Sequence, residues 1–107
     1  TPGSIDGHAV QFIVDTGASM ISMSVSEAER AGLNYKAGQP VRVGTANGAT
    51  QGWRITLDSV RVGDVQVSGV DAVVTPQAMT YVLLGNSFLT RFRMKQDADM
   101  MTLQRRY

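Results

Sequence analysis

Two dipeptides restrict this chain more than any other feature: Asn47-Gly48 and Gly63-Asp64 each stand between stretches that alternate β-branched and polar residues. Such pairs tolerate the positive φ of a tight turn, so the flanking strands fold back on each other as antiparallel hairpins. The stretch "VRVGTANGATQGWRITL" reads as strand, Asn47-Gly48 turn and strand, a protruding hairpin. "VRVGDVQVSGV" reads as a second, with Val60 and Val62 before its turn and Val65 and Val67 after it. A chain punctuated this way is mainly β. Val10, Phe12 and Val14, alternating with Gln11, Ile13 and Asp15, predict a further strand with at least one buried face. "DAVVT" and "YVLLG" predict two more. Helical signals are fewer. "SVSEAERAG" offers Ser24 with Glu27 three residues on, then helix formers and Gly32, which is one short capped helix. Asn86 predicts the cap of a second short helix through Phe92. "FRMKQDADMMTLQRR" reads as two strands about residues 97–99, with Met101 and Leu103 on one face.

At 107 residues and 43% hydrophobic content, the chain supports one core, so residues 1–107 are read as a single domain. Ten basic and nine acidic residues are spread along it and leave a net charge of +1. No continuous basic stripe results, and nucleic acid is not an expected partner. The absence of cysteine removes disulfides, thiolate nucleophiles and cysteine-ligated metals. The single histidine, His8, suits neither a histidine metal cluster nor a histidine-dependent triad and reads as a surface strand residue. No metal or cofactor is therefore expected. No apolar run approaches the roughly 18 residues of a membrane span, and no signal peptide is visible. The sequence reads as a soluble domain. It starts at Thr1 rather than at a methionine, so an upstream anchor, signal or strand is a further expectation.

The sharpest chemical feature is Asp15-Thr16-Gly17-Ala18-Ser19, an acidic residue delivered by an apolar strand into a patch of small side chains. Asp-Thr-Gly alone is weak, because an aspartate at a strand end is more often an ordinary turn residue capping local N–H groups. Its surroundings are more specific: Leu83-Leu84-Gly85, an apolar pair and a glycine, lies about seventy positions on, just ahead of a helix start. Together these stretches resemble the retropepsin family of aspartic proteases. "FIVDTGAS" is similar to the active-site strand and loop, "VGTANGATQGW" to the flap hairpin, and "DAVVTP" with "YVLLGNSFLTRF" to the segments that close the fold. The ending "LLGNSFL" resembles the single-domain bacterial members most.

The resemblance implies a retropepsin-like acid protease barrel, mainly β, with a flap hairpin and one or two short helices. It implies Asp15, Thr16 and Gly17 as the catalytic triplet: Asp15 the acid and base, Thr16 bracing the two active loops, Gly17 offering its N–H to a carboxylate. Ala18, Thr45, Ala46, Asn47, Gly48 and Leu84 are implied to meet a peptide or protein substrate. Leu83 and Gly85 form the turn behind the site, and Met20, Val74 and Leu84 line the pockets. Trp53 anchors the base of the flap. One Asp-Thr-Gly per chain implies a homodimer, with residues 100–106 as the candidate strand of a shared sheet. Ala18 lacks a hydroxyl that could donate to the paired carboxylates, which implies a weakly acidic optimum for cleavage. By the same resemblance, a membrane anchor outside this chain and an extracytoplasmic place in a bacterium are implied. Two functions of different class fit: a homodimeric aspartic endopeptidase, or a catalytically silent relative that keeps the fold for peptide binding or dimerisation. The six methionines read as core or interface filler.

Overall fold

A computed structural model describes residues 1–45, 48–77, 79 and 81–104. It contains strands β1 (Pro2–Ile5), β2 (His8–Val14), β3 (Ile21–Ser24), β4 (Gln39–Thr45), β5 (Gly48–Val62), β6 (Val65–Thr75) and β7 (Val82–Leu84). Helix α1 (Val25–Arg30) follows β3, a 3-10 turn occupies Tyr35–Ala37, and helix α2 (Asn86–Gln104) follows β7. The strands are ordered β1-β2-β7-β3-β6-β5-β4, and β1 pairs with β5 as well. Six strands thus close into a barrel, which removes the exposed edges an open sheet would carry. The seventh, β4, lies outside the ring and pairs only with the leading half of β5.

Both predicted hairpins form. The β5–β6 ladder closes at Val62↔Val65 across Gly63-Asp64, with Gly63 at φ 60. The β4–β5 ladder closes at Thr45↔Gly48, where Gly48 has φ 110; Ala46 and Asn47 lie outside the described residues. The sequence suggested separate strands on either side of Asp58, but β5 is one strand of 15 residues. The reason is a change of phase. Trp53, Ile55 and Leu57 face inward by one parity, then Val60 and Val62 by the other. β6 makes the matching change around Gly69, whose φ of 63 suits glycine. Alternation that skips a beat reads as two strands when only side chains are visible. The β1–β2 hairpin was not anticipated, although Asp6-Gly7 is a strong turn signal and takes φ values of 49 and 85.

Inside the barrel, Phe12, Ile21, Met23, Leu57, Val70 and Leu84 are essentially removed from water. Each contributes about 1.5–3 kcal/mol of burial relative to exposure. Phe88 of α2 joins this core and sits 5.5 Å from the Phe92 ring, plugging one end. Helix α1 starts as expected at Ser24, whose Oγ accepts from the Glu27 N–H at 3.1 Å. The Glu27 carboxylate turns to Arg30 Nη1 at 3.1 Å.

The C-terminal segment corrects the sequence reading. Asn86–Gln104 is one helix of 19 residues, not a short helix followed by two strands. Residues 92–104 contain no glycine, proline or asparagine to make the turn a hairpin needs, and are rich in Met, Lys, Gln, Arg and Leu, which cost little in a helix. The strand expected at residues 100–106 is helical as far as residue 104, and residues 105 and 106 lie outside the described residues. Contacts to β6 support the helical course. Arg91 donates through Nη1 to the Gly69 carbonyl at 2.9 Å and through Nη2 to the Ser68 carbonyl, and Lys95 donates to the Gln66 carbonyl.

Tyr35 ties α1 to the root of the hairpin that stands out from the barrel. Its ring meets Trp53 edge-on at 5.1 Å, and its hydroxyl donates to Glu29 Oε1 at 3.2 Å. Trp53 packs against the core, as an anchor at this place should. Burial pushes the Tyr35 phenol above its ordinary value, and the bond to Glu29 and its charge push it the same way. A raised folded value means that the neutral phenol stabilises the fold fully below about pH 10 and that this contribution is lost as pH rises beyond. Urea unfolding at pH 8 and at pH 10.5 should therefore show a steeper alkaline loss of stability for the native chain than for Tyr35→Phe. Equal losses would exclude this coupling.

Candidate active site

Asp15 stands at the end of β2, where the chain leaves the barrel wall. β2 runs parallel to β7, with Ile13 opposite Leu83 and Val14 opposite Leu84, and the ladder is prolonged by the Asp15 N–H donating to the Leu84 carbonyl at 3.0 Å. The Asp15 side chain is half-buried. Its Oδ1 accepts from the Gly17 N–H at 3.0 Å, which curls the loop around the carboxylate. The Ala18 N–H donates to the Asp15 carbonyl at 3.1 Å and completes the turn. A Cβ on Gly17 would stand 3.3 Å from Asp15 Oδ1, so the smallest residue keeps that oxygen uncrowded. Thr16 is exposed at the outer end of the loop.

The start of α2 braces this loop from behind. The Asn86 N–H donates to the Ala18 carbonyl at 2.8 Å, the Ser87 N–H donates to the Ser19 carbonyl at 2.9 Å, and Asn86 Nδ2 donates to the Thr16 carbonyl at 3.0 Å. Asn86 is therefore not the cap: the Gly85 carbonyl accepts the first helical bond, from the Leu89 N–H at 3.0 Å, and the asparagine side chain is spent on the Asp15 loop. Gly85 is the tightest point. A Cβ there would fall 2.2 Å from the Met20 carbonyl oxygen and 2.8 Å from that of Ala18. Leu83-Leu84-Gly85 thus forms the turn behind the site, with Leu83 half-buried and Leu84 1% exposed.

In front of the loop runs a groove of about 610 Å³, walled by residues 17–20, Ser22, Arg54, Val73 and residues 41–44 of β4. Residues 41–44 of the β4–β5 hairpin thus face the loop after Asp15 across it. Several predicted contacts need correction. Leu84 and Val74 are 1% and 0% exposed and belong to the core, whereas Met20 lines the groove as expected. Successive strand residues face opposite sides, so Val73 takes the place assigned to Val74. Ala18 lines the groove; Thr45 and Gly48 pair with each other at the end of the ladder, while Ala46 and Asn47 lie outside the described residues. The sequence reading missed residues 41–43, Ser22 and Arg54. Counting two by two along β4 and β6 would have suggested some of them. Nothing local marks Arg54, which reaches the groove only because β5 crosses it.

Ile13 and Val14 are 44% and 53% exposed, and Tyr81 beside them 46%. The strand that delivers Asp15 therefore shows bare apolar surface where the alternation predicted one covered face. Among the described residues no cluster of three or more His, Cys, Asp or Glu could hold a metal ion. No described helix is long and apolar enough to cross a membrane.

Residues 1–91 match a protein family described as "gag-polyprotein putative aspartyl protease". The chain is 34% identical over 98 residues to an uncharacterized protein of the cobV 5' region from Sinorhizobium sp., covering 90% of this chain and 42% of that protein. It is 32% identical over 101 residues to an uncharacterized protein from Rickettsia prowazekii, covering 92% of this chain and 43% of that one. The chain thus spans about two fifths of the length of the curated relatives it matches. Among solved structures it superposes on a retropepsin-like aspartic protease from Rickettsia conorii with a TM-score of 0.73 at 30% identity, covering 84% of this chain and 75% of that one. The EIAV protease, solved in complex with an inhibitor, superposes with a TM-score of 0.68 at 15% identity over 86% of this chain and 85% of that protein; this likeness is one of fold.

Proposed function

This chain belongs to the gag-polyprotein aspartyl protease family, and from that premise we propose that it is one half of a homodimeric aspartic endopeptidase. One observation carries the reading: Asp15, with Gly17 holding its Oδ1 at 3.0 Å, ends a barrel strand, and the loop that follows it lines a groove of about 610 Å³. The chemistry requires two such carboxylates. Each chain has one Asp-Thr-Gly, so a second copy supplies the other about a two-fold axis. The exposed Ile13 and Val14 leading into Asp15 give that copy an apolar face to cover.

In aspartic proteases two carboxylates about 3 Å apart cannot both ionise and hold one proton between them. On this reading one Asp15 takes a proton from water as the water oxygen adds to the scissile carbonyl carbon, and the other protonates the carbonyl oxygen. The tetrahedral adduct then collapses, the C–N bond breaks, and the amine leaves with a proton returned from the pair. Thr16 braces the two loops across the axis, and the β4–β5 hairpin, including residues 45–48, closes over the peptide as an added strand. Ala18 floors the groove.

The test is cleavage of a mixture of unfolded proteins, its inhibition by a pepstatin-type compound, and its dependence on concentration. Below the dissociation constant of the dimer, initial rate should rise with about the second power of protein concentration. Sedimentation of the same samples should place dissociation in the same range. A rate strictly proportional to protein at every dilution, with a monomer in the centrifuge, would eliminate the shared site. A dimer that binds peptides without cleaving them would identify the silent, peptide-binding relative instead.

A further inference from the structure

Asn86 is exposed at the start of α2, yet its side-chain amide turns away from its own helix and donates through Nδ2 to the Thr16 carbonyl at 3.0 Å. That carbonyl shares a peptide unit with the Gly17 N–H, which donates to Asp15 Oδ1 at 3.0 Å. The unit is trans, so its C=O and N–H point in opposite directions and it is gripped at both ends. Asn86 pulls from behind while Asp15 receives in front. Rotation of this one peptide plane would take the N–H off the carboxylate, and Gly17, without a Cβ, opposes such rotation little. A carbonyl that accepts a bond also makes the N–H of its own unit a better donor.

The place of residue 86 does not depend on its side chain. Its backbone N–H donates to the Ala18 carbonyl at 2.8 Å, the Ser87 N–H to the Ser19 carbonyl at 2.9 Å, and Ser87 Oγ to the Asp71 carbonyl at 2.9 Å. These bonds join helix and loop whatever stands at 86, and what the amide adds is the orientation of the Thr16–Gly17 plane. Resting on the protease reading above, we propose that Asn86 is a positioning residue for peptide cleavage: through that peptide unit it holds the Asp15 carboxylate in the orientation the reaction uses. Each chain of the pair supplies its own Asn86 to its own Asp15.

Steady-state kinetics and amide hydrogen exchange on variants at 86 test this. In Asn86→Ala, kcat should fall about tenfold with KM within about twofold of native, as expected when a reacting group is held less firmly, at concentrations where sedimentation shows native association. The Gly17 amide should exchange with solvent about tenfold faster, while that of Leu89, inside α2, exchanges as in the native chain. Asn86→Asp keeps the shape and replaces the donor by an acceptor. Asp15 is the one titratable side chain in residues 15–20, β7 and the first turn of α2 have none, and Asp71 on β6 is paired with Arg54, so Asp15 is the charge that bears on the new carboxyl. Relative to native at the same pH, this variant should be no faster than Asn86→Ala near pH 6 and should gain on it below about pH 4, where a protonated carboxyl donates to the Thr16 carbonyl. Native kcat in Asn86→Ala, a loss confined to KM or to association, or an aspartate variant that follows the alanine one at every pH overturns the proposal and leaves the protease reading intact. If the native chain cleaves nothing, the protease reading falls and exchange decides separately: a native rate for the Gly17 amide in Asn86→Ala sinks the positioning role.

Discussion

Asp15→Asn protein should fold and associate as the native chain does and lose peptide cleavage by roughly three orders of magnitude or more, the scale on which general acid–base catalysis operates. The substitution keeps the size of the side chain and an oxygen able to accept from the Gly17 N–H, so the loop bond at 3.0 Å has a replacement acceptor. What it removes is the exchangeable proton. Mixing gives the sharper result. At fixed total protein, an equal mixture of native and Asp15→Asn chains should retain about a quarter of the native activity if each site needs two aspartates, because only native–native pairs function. About half should survive if each chain works alone. Retention of full activity by Asp15→Asn itself would reject the aspartic mechanism.

Gly85→Ala should be the most damaging small substitution in the chain. The added methyl would sit 2.2 Å from the Met20 carbonyl oxygen, 2.6 Å from its carbon and 2.8 Å from the Ala18 oxygen. These are backbone atoms of the loop that follows Asp15, and that loop is tied to α2 by three hydrogen bonds, so nothing there can step aside cheaply. A loss of about 3 kcal/mol or more is expected, beyond ordinary overpacking. Gly44→Ala is the matched control, since a Cβ there meets nothing within 4 Å and its φ does not require glycine. It should change stability by less than about 0.5 kcal/mol. Chemical denaturation of both variants measures the contrast, and similar midpoints would refute the close approach.

The parts of the fold visible in the sequence are those governed by neighbours along the chain. The Gly63-Asp64 turn, the Ser24 cap and the strand leading to Asp15 each follow from residues a few positions apart, and each is present. The carboxylate loop was legible for the same reason, because Asp15 and Gly17 form its defining bond two residues apart. What could not be read depends on strands brought together by the barrel. Arg54 joins the groove through the crossing of β5, and Asn86 serves the Thr16 carbonyl, 70 residues distant, instead of its own helix. The C-terminal helix was misread because Met101 and Leu103 alternate, and a two-residue alternation over so short a stretch does not outweigh the absence of a turn-former. The exposure of Val14 was invisible for another reason: alternation says which residues share a face and is silent on whether anything covers it.

The long strand β5 has one further consequence. At Trp53 and Arg54 it is hydrogen-bonded on both edges, to β4 and to β6, while residues 48–52 pair with β4 and, in the described ladders, not with β6. It is built as a beam clamped at Trp53 with an overhang of five residues, about 16 Å of extended chain. The deflection of such a beam under an end load grows far more steeply than its unsupported length, and its fixed end transmits the load to the wall in which it is set. The direction in which that overhang leaves the barrel is thus set at the Tyr35–Trp53 contact, where the load enters the wall.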